Sequence, residues 1–124
     1  MSKTVLVVDD SSTVRQQVSL ALKQAGFATL EAADGGEAIA TLNANRNIDM
    51  VVCDVNMPNV NGLEMVERVK AKPEFGKLPI LMLTTEGQPS LIKRAREAGA
   101  VGWIVKPFDA NQLVQAARHL TKAA

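Results

Sequence analysis

The chain has 124 residues, 47% of them hydrophobic and 22% charged, a balance that suits one globular domain around one core. A formal net charge of +1 argues against a surface built for nucleic acid, and the longest apolar runs fall well short of a bilayer span. The single cysteine, Cys53, cannot close an internal disulfide and fits a reducing cytoplasm; Met1-Ser2-Lys3-Thr4 enters a strand directly, so no export signal is expected.

With aromatics at only 3% and no Tyr, the interior must be filled by Val, Leu, Ile, Ala and Met. Val5-Leu6-Val7-Val8 is apolar without alternation, the mark of a strand covered on both faces, and it ends in Asp9-Asp10. Ser11 or Ser12 caps the helix that follows. Val14, Val18, Ala21 and Ala25 fall on one helical face, and Gly26 supplies the stop. Phe27–Glu31 predicts a short strand. Asp34 with Glu37 makes a capping box for a second helix through Ile39 and Leu42, which fades into a surface loop at Asn43–Asn47.

Met50-Val51-Val52-Cys53 is a third strand, again buried on both faces. It ends in Asp54 and a turn punctuated by Asn56, Pro58, Asn59, Asn61 and Gly62. Cys53, inside that strand, reads as a small core residue rather than a reactive thiol. Asn61 caps a third helix carrying Leu63, Val66 and Val69, with Glu64 well placed in its first turn. Lys72-Pro73-Glu74-Phe75-Gly76 breaks it.

Pro79 opens a fourth strand, Ile80-Leu81-Met82-Leu83, that ends in Thr84-Thr85. Pro89 suits the first turn of a fourth helix running to Gly99, on which Lys93, Arg94 and Arg96 read as a solvated face or a partner's rim. Val101–Val105 is the last strand and ends in Lys106-Pro107. Asp109 then caps a final helix with Leu113, Ala116, Ala117 and Leu120. His119, alone in its last turn, complements the helix dipole and reads as structural. Five β-α units in a row predict an α/β fold: a doubly wound, five-stranded parallel sheet with five helices and right-handed crossovers.

In such sheets ligands bind outside the carboxyl ends of the strands. Asp9-Asp10, Asp54, Thr84-Thr85 and Lys106 all follow strands, so three carboxylates, a hydroxyl and an ammonium converge on one edge. Any one of them by itself is adequately explained as a strand end meeting solvent; the four together are not. Close carboxylates repel unless a cation neutralises them, and oxygen donors at a wet mouth suit Mg²⁺. No His or Cys cluster points to zinc or copper. A carboxylate beside Mg²⁺, a Lys and a hydroxyl is equipped to attack phosphorus and hold an acyl phosphate.

Val7-Val8-Asp9-Asp10, Cys53-Asp54-Val55-Asn56-Met57-Pro58, Leu83-Thr84 and Val105-Lys106-Pro107-Phe108 together resemble the motifs of response-regulator receiver domains. The likeness is greatest to stand-alone chemotaxis regulators of the CheY type. It spans the whole chain and implies a flavodoxin-like (CheY-like) fold, with residues 1–124 as a single receiver domain. By that resemblance Asp54 accepts phosphate from a sensor histidine kinase. Asp10, Asp54 and the Asn56 carbonyl would bind Mg²⁺, Asp9 would assist through water, and Lys106 would pair with the phosphoryl group. Thr84 and Trp103 would form a switch pair, the indole moving from solvent toward the interior as Thr84 is drawn to the phosphoryl group. Asn56 and Glu86 match the pair that flanks the site in chemotaxis-type receivers and influences dephosphorylation. The resemblance also implies a cis Lys106–Pro107 peptide. Two positions depart from the pattern: Trp103 stands where Tyr or Phe is usual, and Thr85 where Ala, Gly or Ser is usual.

The expected function is a phosphorylation-controlled switch of a two-component system, cytoplasmic and monomeric, acting in chemotaxis or motility. The chain ends at Ala124, just past the last helix, so output is expected through a protein partner such as a flagellar motor or an adaptor. That partner would dock on the face of the fourth helix, last strand and fifth helix; a phosphatase is a further expected partner. The alternative is a phosphorelay intermediate or a phosphate sink. A metal-dependent phosphohydrolase belongs to another class and would carry a second acid two residues after its nucleophile, where this chain has Asn56. Beyond self-phosphorylation and autodephosphorylation of Asp54 no turnover is expected, and neither nucleic acid nor membrane is an expected partner.

Overall fold

The apolar runs form one parallel sheet. In the computed structural model, which describes residues 2–57 and 60–122, the strands are β1 (Thr4–Val8), β2 (Ala28–Ala32), β3 (Met50–Cys53), β4 (Ile80–Thr84) and β5 (Gly102–Val105). Pro58 and Asn59 of the expected turn lie outside the described residues. The strand order is β2-β1-β3-β4-β5 and every pairing is parallel. Helices α1 (Ser12–Gln24), α2 (Gly35–Ala44), α3 (Gly62–Lys70) and α4 (Pro89–Ala98) connect successive strands, and α5 (Ala110–Thr121) follows the last. The doubly wound sheet expected from the β-α alternation is present. Among the described residues no helix is long and apolar enough to cross a membrane.

Alternation along the strands divides the core into two layers. Leu6 and Val8, Val51 and Cys53, and Ile80 and Met82 point to α2, α3 and α4, where they meet Leu42, Met65, Val66 and Ala95. Val5 and Val7, Met50 and Val52, Leu81 and Leu83, and Ile104 point to α1 and α5, where they meet Val18, Leu22, Leu113 and Ala117. Side chains alternate faces with a period of two, so a strand covered on both sides must be apolar at every position.

Local side-chain signals set most of the helix ends. Ser11 accepts from the Val14 N–H, Asp34 from Glu37, Asn61 from Glu64, and Asp109 from Asn111 and Gln112. Pro89 opens α4, and Gly99, at φ +115°, closes it. The break after α3 is a single 3₁₀ turn, Pro73–Phe75, and the Lys70 ammonium fastens it by donating to the carbonyls of Phe75, Gly76 and Leu78.

Several boundaries differ from expectation by a residue or two. Strand β2 starts at Ala28, because Phe27 turns its ring into the α1/α5 layer. Helix α2 extends through Ala44, and strand β5 starts at Gly102, leaving Val101 exposed. In α1 the buried ridge is Val18 and Leu22, with Val14 half-buried; Ala21 and Ala25 lie on its flank. The ridge follows the i, i+4 row, and the larger Leu22 side chain takes the inward place.

The chain leaves β1 toward β2 on one side and reaches β3, β4 and β5 on the other. That reversal opens a crevice at the carboxyl ends of β1 and β3. Val8 pairs with Cys53 and Thr84 with Val105, so Asp9, Asp54, Thr84 and Lys106 arrive at the same edge.

Candidate functional site

Asp9, Asp54 and Lys106 each stand two residues beyond a side chain of the α1/α5 layer, namely Val7, Val52 and Ile104. Asp9 is only 3% exposed, and each of its polar groups has a partner. Oδ1 accepts from the Ser11 N–H at 2.9 Å and Oδ2 from the Lys106 ammonium at 2.7 Å. Its own N–H donates to the Ala32 carbonyl at 3.1 Å, and its carbonyl accepts from Arg15 Nη1 at 2.6 Å. Asp54, 6% exposed, lies 3.4 Å from the same ammonium through Oδ2, and its Oδ1 accepts from the Asn56 N–H at 3.4 Å. The long lysine stem lets a residue after the edge strand reach carboxylates two and three strands away. Burial by itself would lower the Lys106 pKa, but the Asp9 hydrogen bond and the charges of Asp54 and Asp9 outweigh it and hold the ammonium above its usual value.

Asp10 is exposed, and carboxylate oxygens of Asp9, Asp10 and Asp54 lie within 4.8 Å of one another. This donor set fits Mg²⁺: all the ligand atoms are hard oxygens, and one side is open to the water that Mg²⁺ retains. Asp9 has both oxygens engaged at 2.9 and 2.7 Å, whereas the two contacts of Asp54 are longer, at 3.4 Å each, and Asp10 is exposed, so Asp10 and Asp54 are the more available donors. Cys53 does not join them. Its thiol donates to the Asp54 carbonyl, and burial, aided by the Asp54 and Asp9 charges, pushes its pKa up, so it is the core residue expected.

The other half of the site is organised by Glu86. The hydroxyl of buried Thr84 accepts from the Glu86 N–H at 3.3 Å, and Glu86 Oε1 accepts from Asn56 Nδ2 at 2.9 Å. Asn56 and Glu86, expected to flank the site together, do meet. Trp103 differs from expectation: rather than starting in solvent, the indole is half-buried, packs on the α2–α4 layer and donates to the Glu86 carbonyl at 2.8 Å. The register explains this. Trp103 pairs with Met82, which puts the ring on the sheet face shared by Met82 and Thr84, where a buried indole N–H needs an acceptor. Thr85 is exposed and, with Lys106, Pro107, Phe108, Val14 and Gln17, lines a cavity of about 590 Å³. The Lys106–Pro107 peptide is cis. On α4, Arg94 pairs with Glu67 of α3 at 2.9 Å, so that basic face is partly tied to the domain itself.

Two residues that hold the site did not stand out in the sequence. Arg15 bridges the Asp9 carbonyl and Glu31, its Nε lying 3.1 Å from Oε1. The legible signal was a cation in the first turn of a helix, where the dipole disfavours it unless something anionic holds it there. Gly62 begins α3 so close to the end of β3 that a Cβ would overlap the Asp54 carbonyl oxygen. In the sequence Gly62 announced only a turn.

Residues 5–118 match the family model of the response regulator receiver domain. This chain belongs to that family. The receiver is 44% identical to the chemotaxis protein CheY1 of Helicobacter pylori (strain J99) over 105 residues, which cover 84% of this chain and 85% of that protein. Among solved structures it is similar to chemotaxis protein CheY4 of Vibrio cholerae, with a TM-score of 0.90, 41% identity, and 97% of this chain and 99% of that one covered. It is also similar to a chain of the Borrelia burgdorferi CheX–CheY–BeF₃–Mg²⁺ complex, with a TM-score of 0.89, 29% identity, and 95% and 88% covered. The fold is therefore CheY-like and flavodoxin-like. The relatives place this receiver among chemotaxis-type response regulators, which are signalling proteins rather than metabolic enzymes.

Proposed function

We propose that this receiver, a single domain over residues 1–124, is a phosphorylation-controlled switch that takes phosphate from a sensor histidine kinase onto Asp54. The observation that carries the reading is the Lys106 ammonium lying between buried Asp9 and Asp54, with Asp10 beside them. An Asp54 carboxylate oxygen attacks the phosphorus of a phosphohistidine; the O–P bond forms as the P–N bond breaks, and the imidazole leaves with the electron pair. Catalysis of such a transfer is mostly positioning and charge stabilisation. Asp10, Asp54 and the Asn56 carbonyl would hold Mg²⁺, with Asp9 acting through water. When bound, the cation neutralises charge on the phosphoryl oxygens. Lys106 supplies a second positive charge at the same place, and its raised pKa keeps it protonated at neutral pH.

The Thr84 hydroxyl, which accepts from the Glu86 N–H, then donates to a phosphoryl oxygen as it is drawn inward, and Trp103 repacks with the loop it holds. The change is read at the face of α4, β5 and α5, where Val101 and Val105 are exposed, by a protein partner such as a flagellar motor component or an adaptor. The Borrelia burgdorferi relative, solved with CheX, BeF₃ and Mg²⁺, supports both a cation and a protein partner for this receiver. A phosphatase that shortens the lifetime of the phosphorylated state is a further partner, and a monomer in the cytoplasm is the working form. Incubation with acetyl phosphate and Mg²⁺, followed by intact mass and peptide mapping, tests the reading. One phosphate on Asp54, lost in Asp54→Asn and in chelator, is expected. Uptake that survives Asp54→Asn would contradict it.

A further inference from the structure

Glu86 is held at each of its three polar groups, and each partner comes from a different part of the site. Its N–H donates to Thr84 Oγ1 at 3.3 Å, its carbonyl accepts from Trp103 Nε1 at 2.8 Å, and its Oε1 accepts from Asn56 Nδ2 at 2.9 Å. Asn56 in turn donates its backbone N–H to Asp54 Oδ1 at 3.4 Å. A continuous polar chain thus runs from Trp103 on β5, through the loops after β4 and β3, to Asp54. The Asn56–Glu86 bond joins those two loops at the carboxyl edge, beside a carboxylate that is only 6% exposed. The indole nitrogen is a donor only, and in its half-buried place the Glu86 carbonyl is the acceptor it uses.

We propose that Trp103 is a positioning residue for the lifetime of the phosphoryl group: by holding the Glu86 carbonyl it keeps the Glu86 carboxylate on Asn56, and this bridge restricts water at Asp54. The inference rests on Asp54 being the phosphoacceptor. In hydrolysis a water oxygen attacks phosphorus, and the P–O bond to Asp54 breaks with its electron pair returning to the carboxylate. The water's proton leaves with the phosphate. Attack must come in line, from the side away from Asp54, and hence through the mouth beside which the two loops are joined. Loosening either end of the chain opens that route. Phe at position 103 keeps an aromatic ring and deletes the N–H but also gives up ring volume, so Asn56→Ala, which leaves the indole in place, is measured beside it.

The test is the decay of the phosphorylated protein after acetyl phosphate is removed. Trp103→Phe is expected to decay roughly threefold to tenfold faster than wild type, the range one neutral hydrogen bond supports. Asn56→Ala, at an exposed position, is expected to do the same. Trp103→Phe combined with Glu86→Ala should decay no faster than Glu86→Ala alone, since both break one chain. Amide hydrogen exchange at Glu86, measured without any phosphodonor, should quicken in Trp103→Phe. Unchanged decay in Trp103→Phe, or fully additive effects in the double variant, would overturn the inference. Failure of the wild type to take phosphate on Asp54 would overturn the proposed function as well, and is seen before any variant is compared.

Discussion

Lys106 is one ammonium among three carboxylates, so the metal-free site keeps an excess of negative charge. Removing one acid relieves it. Asp10→Asn or Asp54→Asn is expected to raise stability in chelator by about 1 kcal/mol, a typical size for a single charge change at a partly screened site. Mg²⁺ should then stabilise the wild type more than either variant, because it binds the folded state through those oxygens. Urea melts with chelator and with Mg²⁺ read both effects; variants less stable than wild type in chelator would contradict the picture. Lys106 itself gives a pH signature. Its pKa is raised on folding, so its stabilisation is complete below the unfolded value of about 10.4 and is lost as pH climbs through the higher folded value. The stability difference between wild type and Lys106→Met should therefore stay flat from about pH 7 to about pH 10 and shrink above that. A difference that fades near neutrality would rule this out.

At the scale of elements, the sequence spoke most clearly where one stretch decides its own fate. The unbroken apolar runs of β1, β3 and β4 and the caps at Asp34, Asn61 and Asp109 depend only on neighbours in the chain and were legible, whereas the first cap was narrowed only to Ser11 or Ser12 and proves to be Ser11. The inward face of α1 was harder, because Ala21 and Leu22 compete for one sheet surface and only packing settles which turns in. Contacts set by register were not legible at all. That Arg15 meets Glu31 on the neighbouring strand, or that Trp103 reaches Glu86 seventeen residues away, follows from how strands align and not from local pattern. The chemistry of the strand-end residues was readable, whereas the half-burial of Trp103 was not. Gly62 carries the element-scale prediction. A methyl group there collides with the end of β3, so Gly62→Ala is expected to cost about 1–3 kcal/mol, as overpacking does, although alanine is the better helix former. Denaturant melts check this, and a variant as stable as wild type would mean that α3 starts farther from Asp54.

Across the whole molecule, the parallel sheet collects Asp9, Asp54, Thr84 and Lys106 at one end, and the proposed function has their state passed to the β5 edge. The proposed coupling runs through packing as well as charge. Thr84 and Trp103 share one sheet face, and Glu86 is bonded to both. Because the indole is already half-buried and hydrogen-bonded, the proposed switch would shift the balance between two packings of an ordered ring rather than bury one that began in solvent. The central claim, that chemistry at Asp54 is transmitted to Trp103, is tested most directly by the fluorescence of this single tryptophan. Mg²⁺ and beryllofluoride added together should change its emission beyond any effect of Mg²⁺, with no such change in Asp54→Asn and a smaller one in Thr84→Ala. An emission that responds to Mg²⁺ alone and gains nothing from beryllofluoride would contradict the account.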